Sequence, residues 1–109
     1  MRTLTWHVPA IGPGANQRET YRLDGDYNPV RVWVHCAEEP LVEIIIDINV
    51  DGASIFTYNP RIWKEKDADS SDDFASVQFS KDSLVTLDVD QGGGGTGGPM
   101  TVGLELEEA

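Results

Sequence analysis

Few residues in this sequence have the types and spacing that metal binding or nucleophilic catalysis requires. His7, His35 and Cys36 are the only soft ligand candidates in the chain, whereas a structural zinc site needs four ligands at recognisable spacing. If His35 and Cys36 share a strand, they point to opposite faces, which also excludes a Cys–His nucleophile pair. The sequence therefore predicts no metal site, a buried thiol and a surface histidine.

Carboxylates are the other chemically capable group. Asp67, Asp69, Asp72 and Asp73 fall in one short segment, and Ca²⁺ binds oxygens of this kind. Their spacing is not that of an EF-hand, and both the turn glycine and the bidentate glutamate are missing, so a solvated loop is expected. A second set alternates outward on predicted strands: Asp47, Asp88 and Asp90. Paired-carboxylate hydrolysis needs two such groups across a cleft, which nothing here indicates, so we expect neither enzyme activity nor a cofactor.

The elements that position these side chains are strands. From Val42 to Val50 apolar residues recur at every second position, which is the period of a strand with one buried face. Asp51-Gly52 supplies the positive φ angles of a tight hairpin, and Ala53–Thr57 can return as its partner. Similar alternation predicts strands over Thr3–Val8, Arg18–Leu23, Val30–Cys36, Phe74–Phe79, Ser83–Asp90 and Met100–Leu106.

Three segments between the strands are predicted to be irregular. Pro9–Ala15 and Gly92–Gly98 are rich in proline or glycine, and Lys64–Asp73 is charged and poor in apolar residues. The expected fold is a single all-β domain over residues 1–109, an antiparallel β-sandwich or jelly roll of about eight strands.

Composition narrows the classes of partner. The chain has 8 basic and 19 acidic residues and a formal net charge of −11, which argues against nucleic-acid binding. A single cysteine excludes an internal disulfide. No basic segment precedes an apolar run, and no stretch approaches the roughly 20 apolar residues of a membrane span, so we expect no signal sequence, no membrane contact and synthesis in a cytoplasm.

Trp33 is an apolar residue at a position predicted to face outward. Its neighbours by strand parity are Arg31 and His35, and Ile45 is similarly placed among polar residues on another strand. If these two strands pair, Trp33 and Ile45 form an exposed apolar patch. Such a patch is covered by a loop of the same chain, forms a subunit interface, or serves as a platform on which a sugar stacks.

The segments IDINVDGASIF, SKDSLVTLDVDQ and MTVGLELEE, with the glycine-rich run between the last two, carry a family resemblance. The chain resembles small β-sandwich modules of tailed-phage virion proteins, among them decoration, head-fibre and minor tail proteins. The likeness covers residues 30–107. The hairpin motif matches at Asp47-Ile48, Asp51-Gly52 and Ser54–Phe56. The strand motif matches over Asp82–Gln91, although Lys81 stands where the family usually has glycine.

The resemblance implies an accessory virion subunit that is repeated over a capsid or tail and contacts the major capsid or tail protein. A homo-oligomer is expected, and a trimer is one arrangement that fits. Docking would combine apolar burial with edge-strand pairing, and the interface residues are predicted to be Trp33, Ile45, Arg31 and His35. The alternative is a carbohydrate-binding module for attachment to a host surface, in which the sugar stacks on Trp33, Tyr58 and Trp63.

Overall fold

The strands predicted by alternation form a sandwich. In a computed structural model the chain is described over residues 1–8, 14–17, 19–70, 74–91 and 99–109, and these residues contain strands and no helix. The ten strands are β1 (Arg2–Val8), β2 (Gly14–Gln17), β3 (Tyr21–Arg22), β4 (Tyr27–Cys36), β5 (Ile44–Val50), β6 (Ala53–Ser54), β7 (Arg61–Ile62), β8 (Asp67–Ser70), β9 (Leu84–Gln91) and β10 (Met100–Glu108). Within those ranges no helix is long and apolar enough to cross a membrane.

The strands pair antiparallel in two sheets. The four-stranded sheet has the order β1-β10-β4-β8. In the six-stranded sheet β9 and β5 are central; β2 and β3 follow one another along the outer edge of β9, and β6 and β7 both pair with the outer edge of β5. β2 and β3 together occupy one strand position at an edge, and so do β6 and β7. Counted in this way, each sheet has four strand positions, and their order is that of a jelly roll. The predicted antiparallel sandwich is therefore confirmed.

Alternation along the long strands explains why the sheets pack face to face. On β5, Ile44, Ile46, Ile48 and Val50 are buried, and the intervening residues are half-buried on the outer face. Trp6 is fully buried on β1, and its indole N–H donates to the Glu19 carbonyl oxygen at 2.6 Å, so its polar atom is satisfied. The shared core also includes Leu4, Val8, Val32, Val34, Leu87, Val89, Val102, Leu104 and Leu106.

The predicted hairpin is present at Asp51-Gly52. Asp51 has a φ of 51° and Gly52 a φ of 86°, and the residues flanking this two-residue turn are paired. The return strand is shorter than predicted, however, because β6 contains only Ala53–Ser54. Beyond it Ile55 and Phe56 turn into the core, where the Phe56 ring stacks at 6.0 Å on Phe74.

The strand predicted over Arg18–Leu23 is present but shorter. Of the described residues in that range, Tyr21–Arg22 form β3, and a separate strand, β2, begins at Gly14 within the stretch predicted to be irregular. Residues 9–13 and 18 lie outside the described residues. β2 escaped prediction because its sequence, GANQ, has no apolar alternation, and its place in the sheet is evident only from backbone pairing with β9.

The prediction that Lys64–Asp73 is a loop throughout is also wrong. Asp67–Ser70 forms β8, the edge strand that pairs with residues 32–35 of β4. Its alternation is that of an edge: Asp67 and Asp69 are exposed, whereas Ala68 and Ser70 are half-buried. Charged residues are common on edge strands because they discourage pairing with another chain. The composition of this strand is therefore similar to that of a solvated loop.

Three smaller boundaries differ from the prediction. Phe74–Phe79 is not a strand; it makes only the isolated bridges Phe56↔Phe74 and Tyr27↔Phe79. β4 begins at Tyr27 and has a bulge at Val30, which is therefore half-buried rather than part of the core. β5 begins two residues later than Val42. The predicted loop Gly92–Gly98 lies outside the described residues.

Candidate functional site

The outer face of the four-stranded sheet gathers polar side chains around one aromatic residue. The register places Thr5, Gly103, Trp33 and Asp69 in one row across β1, β10, β4 and β8, and His7, Thr101, His35 and Asp67 in the next. Arg31 lies opposite Glu105 in a third row. We call this surface the Trp33 face. Two residues from the predicted interface, Arg31 and His35, therefore do lie beside Trp33.

Trp33 lies flat against the sheet because its neighbour on β10 is Gly103. A Cβ at Gly103 would overlap the Cε2 and Cζ2 atoms of the indole, so the ring occupies the space that any other side chain would fill. Gly103 is buried under the ring, and Trp33 itself remains half-buried. Among the described residues no acceptor receives a hydrogen bond from the indole N–H. The result is a ring with one side on the backbone and its other side toward solvent.

Arg31 fixes the carboxylates beside the ring. Its Nε and Nη2 donate to the two oxygens of Asp69 at 2.5 and 2.8 Å, and its Nη1 donates to Glu105 Oε2 at 3.1 Å. The hydrogen bonds to Asp69 raise the pKa of Arg31, and the same contact lowers the pKa of Asp69. A shallow groove of about 270 Å³ follows this part of the sheet and is lined by Arg31, Trp33, Val34, Asp67, Ala68 and Asp69.

His35 and Cys36 lie on opposite faces of β4, as predicted. His35 is exposed, and its Nδ1 is 2.6 Å from Asp67 Oδ1. Cys36 is fully buried in the core, and burial, with a smaller contribution from Asp67, raises the pKa of its thiol to about 11. A thiol with a pKa this high is protonated at neutral pH.

Ile45 does not share a surface with Trp33. A common patch requires that β4, which carries Trp33, pairs with β5, which carries Ile45. These two strands belong to different sheets. The predicted Trp33–Ile45 patch is therefore wrong. Ile45 is half-buried on the outer face of the six-stranded sheet, where it pairs with Arg61 of the edge strand β7.

That outer face also carries a pair of carboxylates. Asp47 and Asp88 lie directly opposite one another on β5 and β9. The Asn49 side-chain amide donates to both, at 3.4 Å to Asp47 and 3.1 Å to Asp88, and the Ser54 hydroxyl donates to Asp47 at 2.6 Å. These contacts give both carboxylates hydrogen-bond partners within the sheet. The side chain of Asp90, the third predicted member of this set, is outside the described residues.

Tyr58 and Trp63, the other predicted sugar-stacking residues, flank β7 rather than the Trp33 face. Trp63 is 50% exposed and lines a shallow groove of about 330 Å³ with Leu41, Val42 and Glu43. We call these four residues the Leu41–Trp63 patch. Leu41 is 74% exposed, and the Lys64 ammonium lies 4.5 Å from the centre of the Trp63 ring. Tyr58 is 73% exposed in the connection between β6 and β7.

Two of the four aspartates considered as a calcium site have partners within the four-stranded sheet. Asp67 and Asp69 lie on β8 and are engaged by His35 and Arg31, and Asp72 and Asp73 fall outside the described residues. Across the described part of the chain, no three His, Cys, Asp or Glu side chains converge in a way that could hold a metal ion.

Two features of these surfaces were missed in the sequence. Gly103 interrupts the last strand at an outward position, and a strand glycine often marks close approach of another group. Leu41 follows Pro40 just before the predicted strand and reads as the start of that strand, yet it is exposed. In the first case the glycine was a usable signal, whereas in the second only tertiary structure reveals the exposure.

Comparisons with known proteins identify the fold and not a family. No family model matches the sequence, and no curated protein matches it. The chain is similar in fold to PirA, whose crystal structure aligns with a TM-score of 0.52 over 94% of this chain and 93% of PirA. The identity is 11%, so the likeness shows a shared fold alone.

Proposed function

We propose that this chain is an accessory structural subunit of a tailed-phage particle, which docks in repeated copies on the major capsid or tail protein. The resemblance to phage virion modules motivates the proposal. The two segments that carry most of it are neighbours in the sheet, because Asp47–Phe56 includes the end of β5 and the hairpin and Asp82–Gln91 includes β9. The motifs thus describe the centre of one sheet, which is the part of a module that a family would keep while its contacts vary.

The single observation that carries the docking role is the Leu41–Trp63 patch. Two large apolar side chains, Leu41 and Trp63, are exposed beside one another at one end of the sandwich. Exposed apolar clusters of this kind mark contact surfaces, and their burial is favourable by about 25 cal/mol per Å². The charged residues at the border, Glu43 paired with Arg61 at 2.9 Å and Lys64 over the ring, form a polar rim.

Edge-strand pairing, the second docking mechanism expected from the sequence, has less support. Three of the four sheet edges consist of strands of two to four residues, and β8 also carries Asp67 and Asp69. The fourth edge, β1, is continuous, but the Tyr21 hydroxyl donates to the Thr5 carbonyl oxygen on it. Short, charged or covered edges resist pairing with another chain. We therefore assign docking to the Leu41–Trp63 patch rather than to an edge.

Repetition compensates for a small contact. A standard stable interface removes about 1,600 Å² of surface in total, far more than one apolar groove supplies. If several copies associate, for example as a trimer on a local three-fold axis, each weak contact is strengthened by the others. The proposal therefore includes a homo-oligomer in the assembled virion.

The test is co-sedimentation of the purified chain with shells or tubes assembled from the major capsid or tail protein encoded with it. The variant Leu41→Ser with Trp63→Ser should lose binding while it keeps its melting temperature within a few degrees. Leu84→Ser is the matched control, because Leu84 is 47% exposed at the opposite end of the sandwich, where its carbonyl accepts from Asp51 N–H at 2.9 Å. Absence of binding by the unmodified chain, or equal binding by all three proteins, would refute the proposal.

A further inference from the structure

We propose that the Trp33 face binds a neutral oligosaccharide, with one pyranose ring stacked on the solvent side of the Trp33 indole. This would be a second function, on a different surface from the Leu41–Trp63 patch. The grooves at the two surfaces have no lining residue in common. Failure of lattice docking would therefore leave this inference standing, and the reverse also holds.

The orientation of the indole is the first support. A ring that stands upright on a sheet offers only an edge, but Gly103 lets the Trp33 ring lie flat, so one of its broad faces is directed outward. The apolar C–H face of a pyranose matches such a surface in shape and polarity. A half-buried ring packed against the backbone also loses little side-chain entropy on binding.

The polar groups around the ring are the second support. The hydroxyl groups of a sugar both donate and accept hydrogen bonds, so a binding site needs donors and acceptors at fixed positions. Paired arginine and carboxylate side chains supply both in a defined geometry. Arg31 and Asp69 hold one another in a two-pronged contact beside the ring. On the β1 side, Thr5 lies in the same row as Trp33, and the Thr101 hydroxyl is 3.3 Å from His7 Nδ1. The indole N–H adds a donor that the described residues leave unused.

Charge decides which class of glycan fits. Asp67, Asp69 and Glu105 place three carboxylates on this face, and Arg31 is already bonded to two of them. An anionic ligand such as a sialylated or sulfated glycan would meet net negative potential here, which the overall charge of −11 reinforces. A neutral oligosaccharide avoids that repulsion and still satisfies the acceptors with its hydroxyl groups.

The experiment is a printed glycan array that carries neutral, sialylated and sulfated oligosaccharides, probed with the full chain. The best neutral oligosaccharide is then titrated by calorimetry. We expect Trp33→Ala to weaken its binding by about tenfold or more, the equivalent of roughly 1.4 kcal/mol. Trp33→Phe keeps a smaller ring, so its affinity should lie between that of the unmodified chain and that of Trp33→Ala. Trp63→Ala is the matched control, because it removes an exposed indole from the other surface and should change affinity by less than about twofold.

Melting curves and near-ultraviolet circular dichroism separate loss of the site from loss of the fold. If Trp33→Ala is unfolded at the assay temperature, Trp33→Phe decides: weaker binding supports the proposal and unchanged binding refutes it. Three further results would also refute it, namely no neutral glycan bound at millimolar concentration, equal affinity in folded Trp33→Ala, or hits confined to sialylated and sulfated glycans.

Discussion

The indole of Trp33 lies on the backbone of Gly103, its direct neighbour on the next strand of the four-stranded sheet. These residues are 70 positions apart in the sequence, and their contact determines how the aromatic ring packs on the outer face. Without the glycine the ring would have to stand away from the sheet. The face would then lose its flat aromatic surface, while the strands beneath could pair as before.

The first prediction concerns this contact. Gly103→Ala should destabilise the chain by about 1–3 kcal/mol, because the new methyl group overlaps the indole and forces it out of position. In a Trp33→Ala background the same change should cost less than about 0.5 kcal/mol, since the space is then open. Urea unfolding of the four proteins gives the coupling energy. Equal costs in both backgrounds would show that the ring does not lie on Gly103.

The second prediction concerns the hairpin and pH. The backbone N–H of Leu84 donates to Asp51 Oδ1 at 2.9 Å, and this bond, with a smaller contribution from Ser83, lowers the pKa of Asp51. A carboxyl group whose pKa is lower in the folded chain stabilises it above the unfolded pKa of about 3.9, and this contribution is lost as pH falls through the folded pKa. Asp51→Asn keeps the acceptor and tolerates the positive φ, but it cannot take up a proton.

We therefore expect the unfolding free energy of Asp51→Asn to fall less steeply than that of the unmodified chain below about pH 4. Some acid dependence should remain, because a hydrogen bond from Tyr27 lowers the pKa of Asp24 and one from Arg31 lowers that of Asp69. Urea titrations at several pH values between 7 and about 2.5 measure this slope. Parallel curves for the two proteins would count against the assigned role of Asp51.

The third prediction concerns the edge strand. Arg31→Gln removes the ion pair that connects β4 to Asp69 on β8, so amide hydrogen exchange over residues 67–70 should accelerate several-fold. The global unfolding free energy should change by only about 1 kcal/mol, because Arg31 and Asp69 are 43% and 60% exposed and Glu105, at 22%, is the one partner that is mostly buried. Arg61→Gln breaks a comparable pair with Glu43 on the other sheet and should leave exchange in β8 unchanged. Unaltered exchange in Arg31→Gln would mean that backbone pairing alone holds this edge.

Prediction from sequence succeeded where local chemistry decides the conformation. Asp51-Gly52 adopts positive φ at both positions because an aspartate and a glycine tolerate it, and this needs no tertiary information. Alternation likewise placed Ile44, Ile46 and Ile48 in the core and left Arg31, Trp33 and His35 facing outward. Parity within one strand is a local property, and it fails on β4 only at Val30, where the bulge shifts the register.

Prediction failed where the partner of a strand mattered. Trp33 and Ile45 face outward as their parity requires, but in different sheets, and alternation carries no information about which strands pair. The charges of Asp67–Ser70 predict a solvated loop, and only the pairing of this segment with β4 makes it an edge strand. The Trp33–Gly103 contact depends on the pairing of β4 with β10, which no local pattern specifies.

The fourth prediction uses the buried thiol as a probe of opening. Cys36 has no exposed surface and a thiol pKa raised to about 11, so at pH 8 it should react with a disulfide reagent only when the sandwich opens. Stopped-flow labelling in water should therefore be orders of magnitude slower than in denaturing urea, where the thiol is free. A labelling rate in water close to that in urea would contradict its burial.

The proposal that the chain is a docking module of a phage particle is tested most directly by an electron cryomicroscopy reconstruction of particles that carry it. We predict jelly-roll density at repeated lattice positions, with the Leu41–Trp63 end against the shell or tube and the Asp51-Gly52 hairpin pointing away. Particles that lack this density, or contact made through the hairpin end while Leu41 and Trp63 remain in solvent, would contradict the proposal.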